Sequence, residues 1–258
     1  MIDTHSHIYS EEFDTDRNEV IQRAKETGVK HIILPNVDRE SLVRMLALES
    51  DYPGYCHAAI GLHPTSVKEN YTTELDIVKS ELERRKWIAI GEIGIDLYWD
   101  KQFYAEQLNV IQQQLEWAIT YKIPVIIHVR NSFRETMDAL SPFKNKGLKG
   151  VFHSFTGSLS EANEIINFES FKIGINGIVT FKNSDLSEII PKIGLENILL
   201  ETDSPYLTPV PFRGKRNESA YLRFICEKIA NSFNITALEV ANKTTENALN
   251  LFFKPLNN

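Results

Sequence analysis

The sequence predicts a TIM (β/α)8 barrel, type α/β, running as one domain over residues 1–258, and three observations carry that prediction. Short apolar or β-rich runs alternate with amphipathic helical stretches eight times, with no polar low-complexity linker between them. The length of 258 residues suits a barrel with one well-buried core. Six acidic or imidazole residues, His5, His7, Glu92, His128, His153 and Asp203, fall at or just past the ends of such runs. Barrel strands converge at their C-terminal rim, so side chains far apart in sequence meet there.

Met1 to His5 reads as the first strand, and an amphipathic helix follows from Arg17 to Thr27, stopped by Gly28. His31 to Leu34 is strand two, with Ser41 to Ser50 as its helix. Tyr55 to Ile60 is strand three, followed by a helix from Thr73 to Arg84, and Trp87 to Ile90 is strand four. A long helix spans Gln102 to Thr120, where Tyr104, Leu108, Ile111, Leu115 and Ala118 form one apolar stripe. Pro124 to Ile127, Gly150 to Phe152, Phe171 to Ile175 and Ile198 to Leu200 complete the strands; Pro124 opens its strand and so does not interrupt it. Helices around Ser132 to Leu140, Leu159 to Phe168 and Leu186 to Ile190 separate them. Two more helices are expected between Ser219 and Phe253, with Asn234 capping the second.

Bulk properties narrow the chemistry. A formal charge of −7 argues against a broad cationic surface that coats duplex DNA, though it leaves room for a small patch that grips one or two phosphates. Cys56 and Cys226 form no CxxC pair, so neither a disulfide framework nor a thiolate zinc site is expected. No stretch approaches 18 consecutive apolar residues and no basic leader precedes an apolar run, which makes a cytoplasmic location without membrane insertion the expectation.

His5 and His7 are two residues apart, so on a strand both imidazoles point to one face. An HxH pair alone reads equally as two polar loop residues. Glu92 follows a buried run, and a carboxylate there needs a partner to stay charged. A divalent cation is the simplest partner, and one carboxylate can reach two ions. His128 and His153 each end an apolar run; each taken singly also reads as a core histidine bonded to a carbonyl. Asp203 ends the last strand, which closes a barrel beside the first, so its expected neighbour is His5; the competing reading is a cap for the turn at Ser204 and Pro205.

Six such groups suit two divalent ions, which activate a shared water and stabilise attacking and leaving oxygens. Asp203 is placed to take that water's proton. Zinc or manganese suits the nitrogen and oxygen donors better than calcium, with magnesium admitted if water fills much of each shell. His63, in Gly61-Leu62-His63-Pro64, would donate to a phosphate or leaving-group oxygen, or else fix its own loop. His31 and His57 lie at the start of or inside apolar runs and are left out of the site. Arg213, Lys215 and Arg216 form a basic loop soon after Asp203 that would clamp phosphate or simply be solvated. Tyr98, Trp99 and Phe212 would stack on bases, or pack their own loops.

Several of these segments resemble the signatures of the TatD-like metal-dependent deoxyribonucleases: Asp3 to His7, Gly61 to Pro64, Gly91 to Trp99, His128 to Arg130, His153 to Gly157 and Glu201 to Leu207. The resemblance implies a barrel of the amidohydrolase-like superfamily, with His5, His7, Glu92 and Asp203 around one ion and Glu92, His128 and His153 around its neighbour. It also implies hydrolysis of DNA from the 3′ end, on single-stranded or frayed substrate. Two positions depart from the family pattern, Phe212 where a histidine is frequent and Ser219 where a proline is. The same barrel and HxH start also serve amide and ester hydrolysis, including removal of D-amino acids from transfer RNA. A nucleic-acid-binding barrel without chemistry is the third reading.

Overall fold

In a computed structural model, residues 1–168 and 170–254 are described, and eight parallel strands lie inside a ring of helices. The strands are β1 (Ile2–Asp3), β2 (His31–Pro35), β3 (Cys56–Ala59), β4 (Ile90–Asp96), β5 (Val125–Arg130), β6 (Lys149–Phe152), β7 (Ser170–Ile175) and β8 (Ile198–Leu200). They pair in chain order as two arcs, β1 to β3 and β4 to β8. Two parallel bridges, Ile60 with Ile90 and Ser6 with Ser204, join the arcs into a barrel. The TIM-barrel expectation therefore holds.

Helices α1 (Arg17–Glu26), α2 (Arg39–Asp51), α3 (Tyr71–Arg84), α4 (Tyr104–Tyr121), α5 (Phe133–Leu140), α6 (Leu159–Ile166) and α7 (Leu186–Ile193) each follow one strand. Each buries its apolar stripe against the sheet. On α4 that stripe is Ile111, Leu115 and Ala118, with Tyr104 and Leu108 half-buried beside them. The last two helices, α8 (Leu222–Phe233) and α9 (Ala237–Ala248), cover β8 and β1. Asn234 does not cap the second of them: it ends α8 in a left-handed conformation at φ 55°, which asparagine tolerates. Thr236 and Glu239 form the capping box that starts α9. No helix among the described residues is long and apolar enough to cross a membrane.

Inside the barrel, Ile2, Ile33, Ala59, Ala89, Ile126, Val151 and Leu199 form one buried cluster. Ile126 precedes His128 by two residues, Val151 precedes His153 and Leu199 precedes Glu201 by the same step, so each pair shares a face. A polar layer thus rests on an apolar one, which Leu251 and Phe252 help to fill.

Strand four departs most from its expected limits. It runs to Asp96, and its register with β5 shifts between Ile90 and Ile93. The glycine at 91 reads as a strand end in the sequence; in the fold it belongs to a bulge, a device that re-aims a side chain. Glu92 accordingly lies within β4. Strand five also continues past His128, to Arg130.

Candidate metal centre

Glu92 is the hub of the polar layer. Its Oε2 lies 3.1 Å from His5 Nε2 and 3.7 Å from His7 Nε2. Its Oε1 lies 2.7 Å from His128 Nδ1, 3.1 Å from His153 Nε2 and 3.2 Å from His63 Nε2. The two oxygens of one buried carboxylate therefore serve two groups of imidazoles, which touch where His5 stacks on His153. Asp203 Oδ1 joins the first group, 3.8 Å from His5 Nε2 and 3.7 Å from His7 Nε2.

Backbone closure builds the first group. Thr4 donates its N–H to Leu200, Asp203 to His5 and His7 to Ser204, at 3.0, 2.9 and 2.8 Å. The same bonds that seal β1 against β8 set Asp203 beside the two histidines. Asp203 itself is left-handed at φ 57°, one of few residue types that accept this, and the chain turns sharply there. The second group depends on close approach of β4 to β5. A Cβ at Gly94 would sit 2.0 Å from the His128 carbonyl oxygen, and the φ of 152° there also suits glycine alone, so a side chain would push His128 out of place.

Hydrogen bonds decide which nitrogen each imidazole offers. Tyr9 donates its hydroxyl proton to the Pro35 carbonyl at 2.6 Å, so its oxygen accepts from His7 Nδ1 at 2.8 Å. The lone pair of His7 is then on Nε2, in the centre. His63 Nδ1 accepts the Thr65 N–H at 3.1 Å, which puts the proton on its Nε2 and makes that atom a donor to Glu92. His128 is held from both sides, by Glu92 and, through Nε2, by Asp96 Oδ2 at 2.9 Å. His153 Nδ1 faces Glu201 Oε1 at 3.2 Å, near enough for charge attraction without hydrogen-bond alignment.

Asp96 and Glu201 are the residues that sequence reading passed over. Both are buried, and Glu201 also accepts the Ser154 N–H at 2.6 Å. Gly174 makes room for it, since a Cβ there would lie 2.3 Å from Glu201 Oε2. The signal was present: Glu201 directly follows the apolar run 198–200, where a carboxylate needs a partner as much as Glu92 does.

Burial and mutual charge shift the acid–base properties of the cluster. Burial alone raises the Glu92 carboxyl, but the imidazoles of His153, His63 and His5 outweigh it and hold the group well below the usual carboxylate range. Burial, reinforced by His153, keeps His5 well below the ordinary imidazole range, and burial pushes His7 down to about 4. Burial pushes the Asp203 carboxyl up to about 7. His153 goes the other way: burial opposes its charge, yet Glu92 and Glu201 together raise it well above the normal value.

The donor set fits divalent cations. His5, Glu92 and His153, then His5, His7 and Asp203, and then His63, Glu92 and His128 each bring three ligand atoms within 4.8 Å of one another. His5 Nε2 and His7 Nε2 converge to 3.1 Å, and His5 Nδ1 is buried with no hydrogen-bond partner. Imidazole nitrogens with carboxylate oxygens and no thiolate match zinc, manganese or a similar ion. This set has capacity for one or two of them. Cys56 and Cys226 are buried and free. His31 and His57 pair with each other at 3.0 Å against Phe253, and neither makes a contact with the cluster.

Around the rim the structure separates the remaining candidates. Tyr98 and Trp99 lie two and three residues past Asp96 and are 54% and 68% exposed. The basic loop is more engaged with its own fold. Phe212 stacks on Tyr221 with ring centres 4.5 Å apart and planes 6° from parallel. Arg216 is ion-paired to Asp16 at 2.6 Å, and Arg213 lies over the Phe181 ring at 3.6 Å. Lys215 is exposed near Phe212. The loop-packing reading that stood beside base stacking for Phe212 thus describes what its ring does here.

A parallel barrel with a carboxylate-bridged histidine cluster at its strand ends defines the metal-dependent hydrolase class. The TatD related DNase family profile matches residues 2–253, and the chain belongs to that family. It is 38% identical over 253 residues to the uncharacterized metal-dependent hydrolase YabD of Bacillus subtilis, covering 98% of each chain. It is 31% identical to the 3'-5' ssDNA/RNA exonuclease TatD of Yersinia pseudotuberculosis, over 98% of this chain and 99% of that one. The crystal structure of YJJV, a TatD homologue from Escherichia coli, superposes with a TM-score of 0.91 at 32% identity, over 99% of this chain and 98% of that one.

Proposed function

We propose that this chain hydrolyses phosphodiester bonds of DNA, acting as a 3′-to-5′ exodeoxyribonuclease on single-stranded or frayed ends. The observation that carries the reading is Glu92, one carboxylate whose two oxygens face two sets of imidazoles. A bridging glutamate suits two divalent cations and a phosphate ester, and the residue between the two imidazole groups is Glu92 where related amide hydrolases commonly use a carboxylated lysine. The relatives named as 3'-5' ssDNA/RNA exonucleases, matched over 98% of the chain, support the same direction.

His5, His7, Glu92 and Asp203 would hold one ion and Glu92, His128 and His153 its neighbour, the ions being zinc, manganese or magnesium. Two cations held there supply Lewis acidity to a phosphoryl group and make water acidic enough to attack near neutral pH. Asp203, whose Oδ1 stands beside His5 and His7, would accept that water's proton. His63 carries its proton on Nε2 and donates it toward the leaving or a phosphoryl oxygen. Glu92 fixes the geometry of both imidazole groups. Tyr98 and Trp99 offer base-stacking faces, and Arg213 and Lys215 offer positive charge to the strand, while Arg216 and Phe212 shape the loop that carries them.

End-labelled single-stranded DNA, duplex DNA and RNA, each with zinc, manganese or magnesium, test the reading beside an aryl phosphodiester, a dihydropyrimidine and a lactone. A ladder shortening from the 3′ end supports it. Turnover of the cyclic amide or lactone alone would move the chain to amide or ester chemistry. DNA binding without any hydrolysis under every cation would leave a binding barrel.

A further inference from the structure

Beyond the cations and the scissile phosphate, the rim between β4 and β5 holds a group of residues that the fold itself leaves unused. Arg130, the last residue of β5, is exposed, and its guanidinium carbon lies 4.0 Å from the centre of the Tyr98 ring and 5.1 Å from that of Trp99. No carboxylate among the described residues comes within ion-pairing distance of it. A cation–π cluster that served only packing would cover its rings, yet both remain more than half exposed. The backbone beneath them is well fixed. Leu97 donates to the Arg130 carbonyl at 2.9 Å, and Ser132 Oγ accepts the Arg130 N–H at 3.2 Å while donating to Ile95.

Asp96 ties this wall to the centre. Its Oδ1 accepts the N–H groups of Tyr98 and Trp99 at 2.9 and 3.3 Å, and its Oδ2 holds His128 Nε2. Whatever rests on the wall therefore lies a few residues from the His128 side of the cluster. The ligand must offer negative charge to an unpaired guanidinium and a flat face to exposed rings. A single-stranded polynucleotide does both, whereas a duplex keeps its bases stacked away from such a surface.

We infer that Arg130, Tyr98 and Trp99 form a subsite for single-stranded nucleic acid, in which Arg130 grips a phosphate beyond the cleaved one and Trp99 stacks on a base. A guanidinium held over a ring presents its N–H edge outward, which is the geometry that phosphate takes. Stacking is indifferent to base identity, so the subsite confers strand binding without sequence preference. The assignment rests on the phosphodiesterase reading for its substrate, and it puts the main strand contact on this wall in place of the basic loop at 213–216, where Arg216 is already ion-paired.

Two measurements test it, one of which reads binding directly. With magnesium present, an oligothymidylate titrated into the protein should quench the fluorescence of Trp99, and the quenching should vanish in Trp99→Phe. In steady state, Trp99→Ala should raise KM for the oligonucleotide about five- to hundredfold, and Trp99→Phe should keep most of the affinity. Arg130→Gln should also raise that KM and reduce the slope of log KM against log salt by about 0.7, the share of one phosphate on a single strand. Turnover of an aryl phosphodiester, which lacks the further phosphate and base, should suffer less than that of the oligonucleotide in each of the three. Cleavage of the oligonucleotide with no quenching, an unchanged salt slope, or equal damage to both substrates would overturn the subsite. Quenching by a strand that is never cut would instead retire the phosphodiesterase reading and leave the subsite standing.

Discussion

The two faces of Glu92 are both lined by imidazoles but supported differently. On the Oε2 face, His7 is oriented by the hydroxyl of Tyr9, and His5 Nδ1 has no partner. On the Oε1 face, His128 is backed by Asp96 and His153 by Glu201, both carboxylates. A carboxylate behind an imidazole raises its basicity and fixes its orientation more strongly than a neutral hydroxyl does. The first face instead carries its negative charge directly, on Asp203. Under the proposed function the first face would carry the chemistry, with a carboxylate to take a proton, and the other would hold a cation firmly.

The largest effects belong to groups that one or both faces need. Glu92→Ala should lower cation occupancy and reduce turnover about 10³-fold, the scale of several kcal/mol of Lewis-acid stabilisation. His31→Ala, at the opposite end of the barrel strands, should do neither. Asp203→Asn keeps one ligating oxygen but no longer accepts a proton, so kcat should fall about 10²- to 10⁴-fold with metal largely retained. Elemental analysis of each variant decides between the roles. A rate loss in Asp203→Asn that merely follows lost metal would remove the division of labour.

The outer carboxylates come next. Asp96→Asn and Glu201→Gln should each weaken one cation about ten- to hundredfold while the other stays near its original affinity. Isothermal titration with two resolved binding events reads this, and equal weakening of both events would sink the comparison.

Proton release sharpens it. In the cation-free protein Asp203 sits at about 7 and His153 well above its normal value, while His5 and His7 are already neutral at pH 7. A cation lowers the first two, so its binding expels protons and tightens as pH rises, until the raised pKa values are passed. At pH 6 saturation should release more than one proton, and by pH 8.5 Asp203 should contribute none. Titration in buffers of different ionisation enthalpy measures the count. No release at pH 6 would mean that the cations do not sit on these groups.

The proposed ligands were legible because each ends an apolar run or stands in an HxH pair, patterns that follow from strand geometry. The supports were less legible. Asp96 and Glu201 lie within four residues of Glu92 and Asp203, and nothing in a linear sequence separates a ligand from the carboxylate behind its neighbour. The bulge at Gly91 and Glu92 was hidden for a related reason, since a glycine after an apolar run reads as a strand end. The basic loop shows the opposite case: charge density at 213–216 is visible, but the Asp16 that pairs with Arg216 is some two hundred residues away. Arg130 stands in a family-like segment but carries no role that its sequence neighbours reveal, and only the fold brings it over Tyr98 and Trp99.

The smallest expected effect tests the neutral support. Tyr9→Phe removes the acceptor for His7 Nδ1 and the donor to the buried Pro35 carbonyl. Leaving such groups unpaired costs about 1–3 kcal/mol, so the cation-free variant should melt at lower temperature. His7 would then be free to carry its proton on either nitrogen, and half-committed ligands bind more weakly. Because the lost partner is neutral, the affinity loss should stay at or below the low end of the outer-carboxylate range, about tenfold or less, and fall on the Oε2 face alone. Calorimetric titration beside Asp96→Asn makes the test direct. If the phenylalanine variant loses as much affinity as the asparagine one, a hydroxyl holds its histidine as firmly as a carboxylate does, and the two faces are not distinguished by what stands behind them.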